Sequence, residues 1–520
     1  MFHHNAHVVG RSGIARLMLT TAIILILSTL ALSAASAQDS GGTLRVGIPP
    51  VENLDPATGT NDPEILFNRS IYDFLIETTP DGTLVPNLAE SWDVSDDGLT
   101  YTLHLVQGAT FHDGSPFTSA DVVYTFNRLV GLEAQSTNLM GEFEISAPDD
   151  NTVVFMLPAI NADFLFGIAT QSAVIIQNGN ETPNTLGEGD DVFASFNGTG
   201  PFVLTDYTPG ESAVFTKNET YWGEGPNLDT LEFIFITDTL AQVDALRSGA
   251  VDVIFKFDPD QIPVLEGEDG INIIEVATNQ HPVIRIRSDA GALGENPLIR
   301  EAFKVATNRQ ELLDTVQGGL GFLGHNDPIG PKYGVFYDDM IADPEYDPAR
   351  ACELVQEATG EDRISSDFYV VNDFNYEALS VALQGQWAEG CIDVNILLRD
   401  PGLYYADTEW LEVDLGITGW GDRAIPQPYL TSAYYTDGPF NETHFSDAEL
   451  DSLIDQAGQI TDQDARAAVY SQISQAFADR GPIIIPWFAS VFSAASDRVE
   501  GLAVHPFAGL TDFRSVTVSG

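Results

Sequence analysis

His112 and Asp113 stand side by side in FHDGSPFTSADVVYTF (Phe111 to Phe126), and Asp121 follows. An imidazole beside a carboxylate on a loop is the equipment of a general acid–base pair or the start of a metal site. The surrounding residues give each of these groups a structural task instead. HDG is a turn sequence in which Gly114 accepts a positive φ. Thr118 and Asp121 have the spacing of a capping box, and Phe117 and Val122 that of a hydrophobic staple. The helix SADVVYTFNRL that they start turns Val122, Val123, Phe126 and Leu129 towards a core. The stretch reads as a turn and a helix start, not as a reactive pair.

The other places for chemistry are equally sparse. No G-x-S-x-G elbow, H-E-x-x-H helix or P-loop occurs. Gly198-x-Gly200 lacks a third glycine and runs into Pro201, so it is not a dinucleotide fingerprint. Beyond the first 37 residues the histidines, His104, His112, His281, His325, His444 and His505, are scattered, with no pair at i, i+4. Acidic residues are so numerous that any two carboxylates pair on paper, which carries no information. Cys352 and Cys391 are too far apart in sequence for a zinc motif, and the sequence leaves their pairing open. No catalytic residue, metal ligand or cofactor is assigned.

The elements behind these residues are those of a large globular protein. A chain of 520 residues, 44% hydrophobic, has material for two or three cores. The formal net charge is -55, from 77 acidic and 22 basic residues, of which only Lys217, Lys256, Lys304 and Lys332 are lysines. Such a surface repels phosphate backbones and anionic lipid, which excludes nucleic acid as a partner. It also keeps the protein soluble and attracts cationic ligands. Arg11 and Arg16, the apolar run Leu17 to Leu32, and Ala35-Ser36-Ala37 form a secretory leader, with cleavage expected after Ala37. No later stretch is apolar and long enough to span a bilayer, and no cysteine at the cleavage site suggests a lipid anchor. An exported, soluble, periplasmic monomer is expected.

Strands are expected at Gly42 to Pro49, on either side of the Asp97-Gly98 turn, at Asp149 to Leu157, after Gly200, and at Val251 to Phe255. Helical spacing marks Glu64 to Ile76, Thr239 to Ser248, Pro297 to Thr307, Pro348 to Thr359, Leu450 to Ala457 and Ala465 to Ala478. Phe368 to Leu397 reads as a strand–helix–strand unit. The class is α/β, and no repeat or low-complexity linker divides the chain.

The segment PNLAESWDVSDDGLTYTLHLVQGATFHDGSPFTSADVVYTFNRL (Pro86 to Leu129) resembles the dipeptide/oligopeptide-binding family, family 5, of extracellular solute-binding proteins of ABC importers. The likeness continues in Gly198 to Phe233, Ala245 to Val253, Arg300 to Gly319, Tyr346 to Gly360 and Gly419 to Leu430 (GWGDRAIPQPYL). It implies a two-lobed periplasmic-binding-protein fold of the type II-like, large peptide-binding class, with an extra subdomain in lobe I. On that pattern 1–37 is the signal peptide, 38–285 lobe I with the subdomain at about 80–195, 286–488 lobe II, and 489–520 the return to lobe I. The crossings are expected near His281 to Arg287 and Ile485 to Phe492. The implied partners are a small peptide-like solute and the ABC permease subunits.

The resemblance also implies site residues. Asp422 occupies the position of the family's aspartate that pairs with a peptide α-ammonium, a charge-assisted bond suited to a closing, water-poor cleft. Gly421 adjoins it, and Trp420 supplies either a flat apolar wall or ordinary core. Asn61 and Asp62, before the first long helix, are candidates from lobe I, with a helix-capping turn as the competing reading. Dipeptide binders place an Arg for the ligand carboxylate before the helix of the strand–helix–strand unit. Here Tyr369 to Leu379 offers only Asn372, Asp373 and Asn375. A dipeptide is therefore not expected, and a longer peptide, or a cationic or neutral solute, stays open. The alternatives are a non-peptide solute (oligosaccharide, polyamine-like cation or metal chelate) and a secreted carboxylate-dependent hydrolase.

Overall fold

A computed structural model describes residues 41–519, apart from 60, 135–136, 190–191, 343, 373–374 and 407–408. The expected leader lies outside the described residues. From the start of the chain, β1 (Thr43–Ile48) is followed by α1 (Asp62–Ile71). Two hairpins come next, β2 (Ala89–Val94) with β3 (Thr100–Leu105) and β4 (Glu144–Asp149) with β5 (Thr152–Met156), with α2 (Ser119–Gly131) between them. Then come β6 (Phe202–Thr208), β7 (Ser212–Lys217), β8 (Thr230–Phe235), β9 (Val253–Phe257) and β10 (Ile271–Ala277). A second region holds β11 (His281–Ile286), α3 (Pro297–Val305), α4 (Pro348–Thr359), β12 (Ile364–Val371), α5 (Tyr376–Glu389), β13 (Ile392–Arg399) and β14 (Leu415–Trp420). It closes with α6 (Ala448–Ala457), α7 (Gln463–Arg480) and β15 (Ile483–Ile484), after which β16 (Ser490–Ser496) returns to the first region.

Three larger sheets result. The first is seven-stranded, β10-β16-β9-β1-β8-β7-β6, and the second five-stranded, β13-β12-β14-β11-β15. The third, β2-β3-β5-β4, has its own core of Leu103, Phe126, Val153, Phe155 and Phe164. In the five-stranded sheet β12 runs parallel to both β13 and β14, while β11 is antiparallel to β14. Every residue of β11 is buried. Ile284 and Ile286 face the layer of α3, α4 and α5, and Val283 faces the layer of α6 and α7. Burial on both faces fits the apolar Pro282, Val283, Ile284 and Ile286, while His281 and Arg285 in the same strand must find buried partners.

Local expectations hold where the signal is local. Thr118 and Asp121 close the capping box of α2, with Asp121 Oδ2 accepting from Thr118 N at 2.8 Å. Phe117 and Val122 are buried in one cluster, and Gly114 takes a φ of 83°. The first helix differs from the expected Glu64 to Ile76: it ends at Ile71, and Tyr72 is extended. The Ile71 carbonyl is captured by Gly200 N at 2.8 Å. Cβ atoms on Gly198 or Gly200 would stand 2.0 and 2.5 Å from that oxygen, so both positions require glycine.

The chain leaves the first sheet after Ala277 and enters the second at His281, so the crossing is Thr278 to Gln280. That lies ahead of the expected boundary at 285/286. It returns through Ile485 to Ala489. The two crossing segments bind each other, with Ala489 N donating to Gln280 O at 2.7 Å and Thr278 Oγ1 to Ala489 O at 2.7 Å. The third sheet also meets the second region directly. Ala162 N donates to Gly458 O at 3.0 Å, and the buried Asp163 pairs with Arg466 of α7 at 2.6 Å. Cys352 of α4 and Cys391, after α5, form a disulfide with Cα atoms 5.0 Å apart. Among the described residues no helix is long and apolar enough to cross a membrane.

Candidate functional site

The parallel strands β12 and β14 end at the same edge of the five-stranded sheet, beside the crossing segments. In open α/β sheets ligands bind outside the carboxyl ends of such strands. Asp422 lies two residues beyond β14. Its Oδ1 accepts from Asn279 N of the crossing at 2.8 Å. Its Oδ2 is paired with Lys332 Nζ, and the two side chains are only 3% and 9% exposed. Lys332 comes from a short 3-10 segment (Pro331–Phe336) kinked at Gly334, and its ammonium also stands 4.7 Å from the Phe507 ring centroid. Burial lowers the Lys332 pKa, and the Asp422 carboxylate opposes that shift.

Asp422, the position expected to pair with a ligand ammonium, here holds an ammonium of its own chain. Arg423 adds a second positive charge, donating to the Asp422 carbonyl at 2.8 Å and lying over Tyr429. Among the described residues, Lys332 and Arg423 both stand against Asp422, in a chain whose net charge is -55.

Around the pair is a buried polar cluster. Asn279 is fully buried. Its carbonyl accepts from His281 Nδ1 at 2.7 Å and lies 3.1 Å from Tyr429 Oη. Both polar atoms of its carboxamide, and His281 Nε2, have no hydrogen-bond partner among the described residues. Tyr429 Oη donates to Gly421 O at 2.6 Å, which fixes the turn carrying Asp422. Trp420 is half-buried, with edge contacts to Tyr429 and Phe440, and it hydrogen-bonds Glu442. It is a packing residue at the rim of the cluster.

The remaining candidates have other places. Asn61 caps α1 in a full capping box with Glu64. Asp62 accepts from Gly509 N at 3.2 Å and pairs with Lys256 at 3.4 Å. Both serve the helix start. Through Gly509, Asp62 nevertheless touches the segment whose Phe507 covers Lys332. Asn372 is exposed at the end of β12, and its N–H donates to Arg399 O at 2.8 Å. Asp373 lies outside the described residues. His112 is structural: Nε2 meets Gly200 O at 3.1 Å, its N–H donates to Gly198 O at 2.9 Å, and burial lowers its pKa. Asp113 caps its own turn through Ser115.

Sequence reasoning missed Lys332, Asn279 and His281. The one signal for Lys332 was its rarity, a lysine in a turn of a chain that has four. His281 carries a testable consequence. Burial, with help from Arg423, depresses its pKa to about 4, against the hydrogen bond to Asn279 that raises it. The unfolded chain takes up this proton near pH 6.5 and the folded one near 4, so stability falls as pH drops through that window. The loss is about 3 kcal/mol. Denaturant titrations between pH 7 and 4 are expected to show a shallower slope in His281→Gln than in the wild type, the remainder coming from the buried His112 and His505, whose pKa values are also lowered.

The sequence profile of the bacterial extracellular solute-binding proteins, family 5 (middle region), matches residues 83–442. Di/tripeptide-binding protein 1 of Pseudomonas aeruginosa is 30% identical over 503 residues, covering 89% of this chain and 92% of that protein. Heme-binding protein A of Haemophilus influenzae is 27% identical over 494 residues, covering 87% of this chain and 88% of that protein. The solved structure of HbpA2 from Haemophilus parasuis shares the fold, with a TM-score of 0.83 at 24% identity over 92% of this chain and all of that one.

Proposed function

The chain belongs to the bacterial extracellular solute-binding proteins of family 5, and on that premise we propose that it captures a peptide or peptide-like solute between two closing lobes and delivers it to the permease of an ABC importer. The observation that carries this reading is the family match over residues 83–442, together with relatives whose names specify di- and tripeptides. The lobes are built on the seven- and five-stranded sheets, the third sheet is the extra subdomain of the first lobe, and the crossings at 278–280 and 485–489 are the hinge. The candidate site is the edge of the five-stranded sheet beside that hinge, with Asp422, Gly421, Trp420 and Asn372 on one side and the Asn61–Asp62 turn on the other. The protein acts by binding, without turnover, as an extracytoplasmic monomer released from its leader after Ala37.

Thermal-shift screening of the mature chain tests this. A ligand at about 100 times its Kd stabilises by about 2.7 kcal/mol, which is a measurable shift. Tri- and oligopeptides are expected to give it, and oligosaccharides and polyamines are not. Because one relative is named for heme, hemin belongs in the screen. A shift with hemin and none with any peptide would replace the peptide reading by a non-peptide one.

A further inference from the structure

We propose that Lys332 supplies from within the chain the ammonium that Asp422 needs, so that the solute taken at this site presents no free α-ammonium there: a peptide-like solute whose amino end is acylated, cyclised or absent. This rests on the reading above and names the solute class. Three observations meet in it.

Asp422 is already satisfied. One carboxylate oxygen takes the Asn279 N–H and the other the Lys332 ammonium, and both side chains are nearly out of contact with water. A ligand ammonium would have to expel a buried cation from Asp422 and from the Phe507 face. It would gain only the bond that Lys332 gives up. A group tethered to the same chain competes at an effective concentration on the order of millimolar, which a scarce free solute does not match.

The local charge is also wrong for a second cation. Among the described residues Lys332 and Arg423 both stand against Asp422, so an added ammonium meets two cations and one carboxylate, whereas a neutral or anionic group meets no such repulsion. Finally, the carboxamide of Asn279 is fully buried, with both its polar atoms unpartnered among the described residues. One donor and one acceptor side by side are the complement of an amide, which is what an acylated amino end offers in place of an ammonium.

The test compares Ala-Ala-Ala with its N-acetyl form by calorimetric titration, and adds the variant Lys332→Ala. The wild type is expected to bind the acetylated peptide at least as tightly as the free one. Lys332→Ala, with Asp422 exposed to ligand, is expected to turn to the free peptide by about tenfold, the scale of a charge-assisted bond. A wild-type preference of about tenfold or more for the free peptide overturns the proposal. A ligand-independent arm separates it from the peptide reading. Ethylammonium chloride is expected to raise the melting temperature of Lys332→Ala, and tetramethylammonium chloride, which cannot donate a hydrogen bond, is not. Neither should act on Lys332→Ala/Asp422→Asn. If no peptide binds but ethylammonium rescues, the peptide reading fails and the internal ammonium stands; without rescue the proposal fails. Should Lys332→Ala not fold, amine acetylation of the wild type decides. Lys332 is expected to resist while the half-exposed Lys256 reacts, and equal labelling overturns the proposal.

Discussion

Glu442→Ala is expected to cost the folded protein about 3–5 kcal/mol, the scale of a buried ion pair deprived of one partner. Its partner Arg285 lies within β11 with a side chain 1% exposed, and Glu442 is 4% exposed. The pair is built into the sheet. Arg285 Nη1 donates to Val413 O at 3.2 Å and Nη2 to Tyr404 Oη at 2.8 Å, while Thr418 Oγ1 sits 2.9 and 2.7 Å from the two Glu442 oxygens. Burial raises the Glu442 pKa, and Arg285 acts against that shift. Without Glu442 the buried guanidinium keeps only neutral acceptors. Removing both charges with residues of similar volume, Arg285→Met with Glu442→Leu, is expected to recover most of the loss. Urea denaturation of the single and double variants measures both effects. A single-variant loss below about 1 kcal/mol would mean that the pair is not desolvated in solution.

Arg466→Ala is expected to have a comparable effect, about 3–5 kcal/mol, at a different seam. Asp163 precedes a short helix in the core of the four-stranded sheet, and Arg466 lies on α7 of the five-stranded sheet. Their side chains are 5% and 4% exposed. Burial raises the Asp163 pKa, and Arg466 holds it down. The guanidinium also stacks over Phe336 and Tyr470, so truncation removes packing as well as charge. Scanning calorimetry is expected to show a lower transition for Arg466→Ala, and Asp163→Asn on that background is expected to restore part of it by removing the stranded carboxylate.

What was legible in the sequence divides by the range of the interaction. The α2 capping box, the Gly114 turn and the strand–helix–strand unit depend on residues a few positions apart, and they could be read directly. The end of α1 could not, because Gly200 stops it from far along the chain by taking the Ile71 carbonyl. Asp422 could be picked out as a position, yet its state could not. The lysine that neutralises it is 90 residues away, and nothing in GWGDRA points to it. The Cys352–Cys391 bridge was open for the same reason, since helix packing decides whether the two Cα atoms meet. Asn61 and Asp62 were legible as a cap and serve as one.

The position of β16 sets an order of events during synthesis. Residues 281–484 supply every strand of the five-stranded sheet, so that half holds its complete set of strands before the chain is finished. The seven-stranded sheet is different: β16, near the carboxyl terminus, pairs with β9 on one side and β10 on the other. Until residue 490 has emerged, β9 and β10 each present an unsatisfied edge, the kind of surface that recruits a wrong partner. A chain cut short by some thirty residues therefore loses no tail. It loses the strand that joins the two parts of its first sheet.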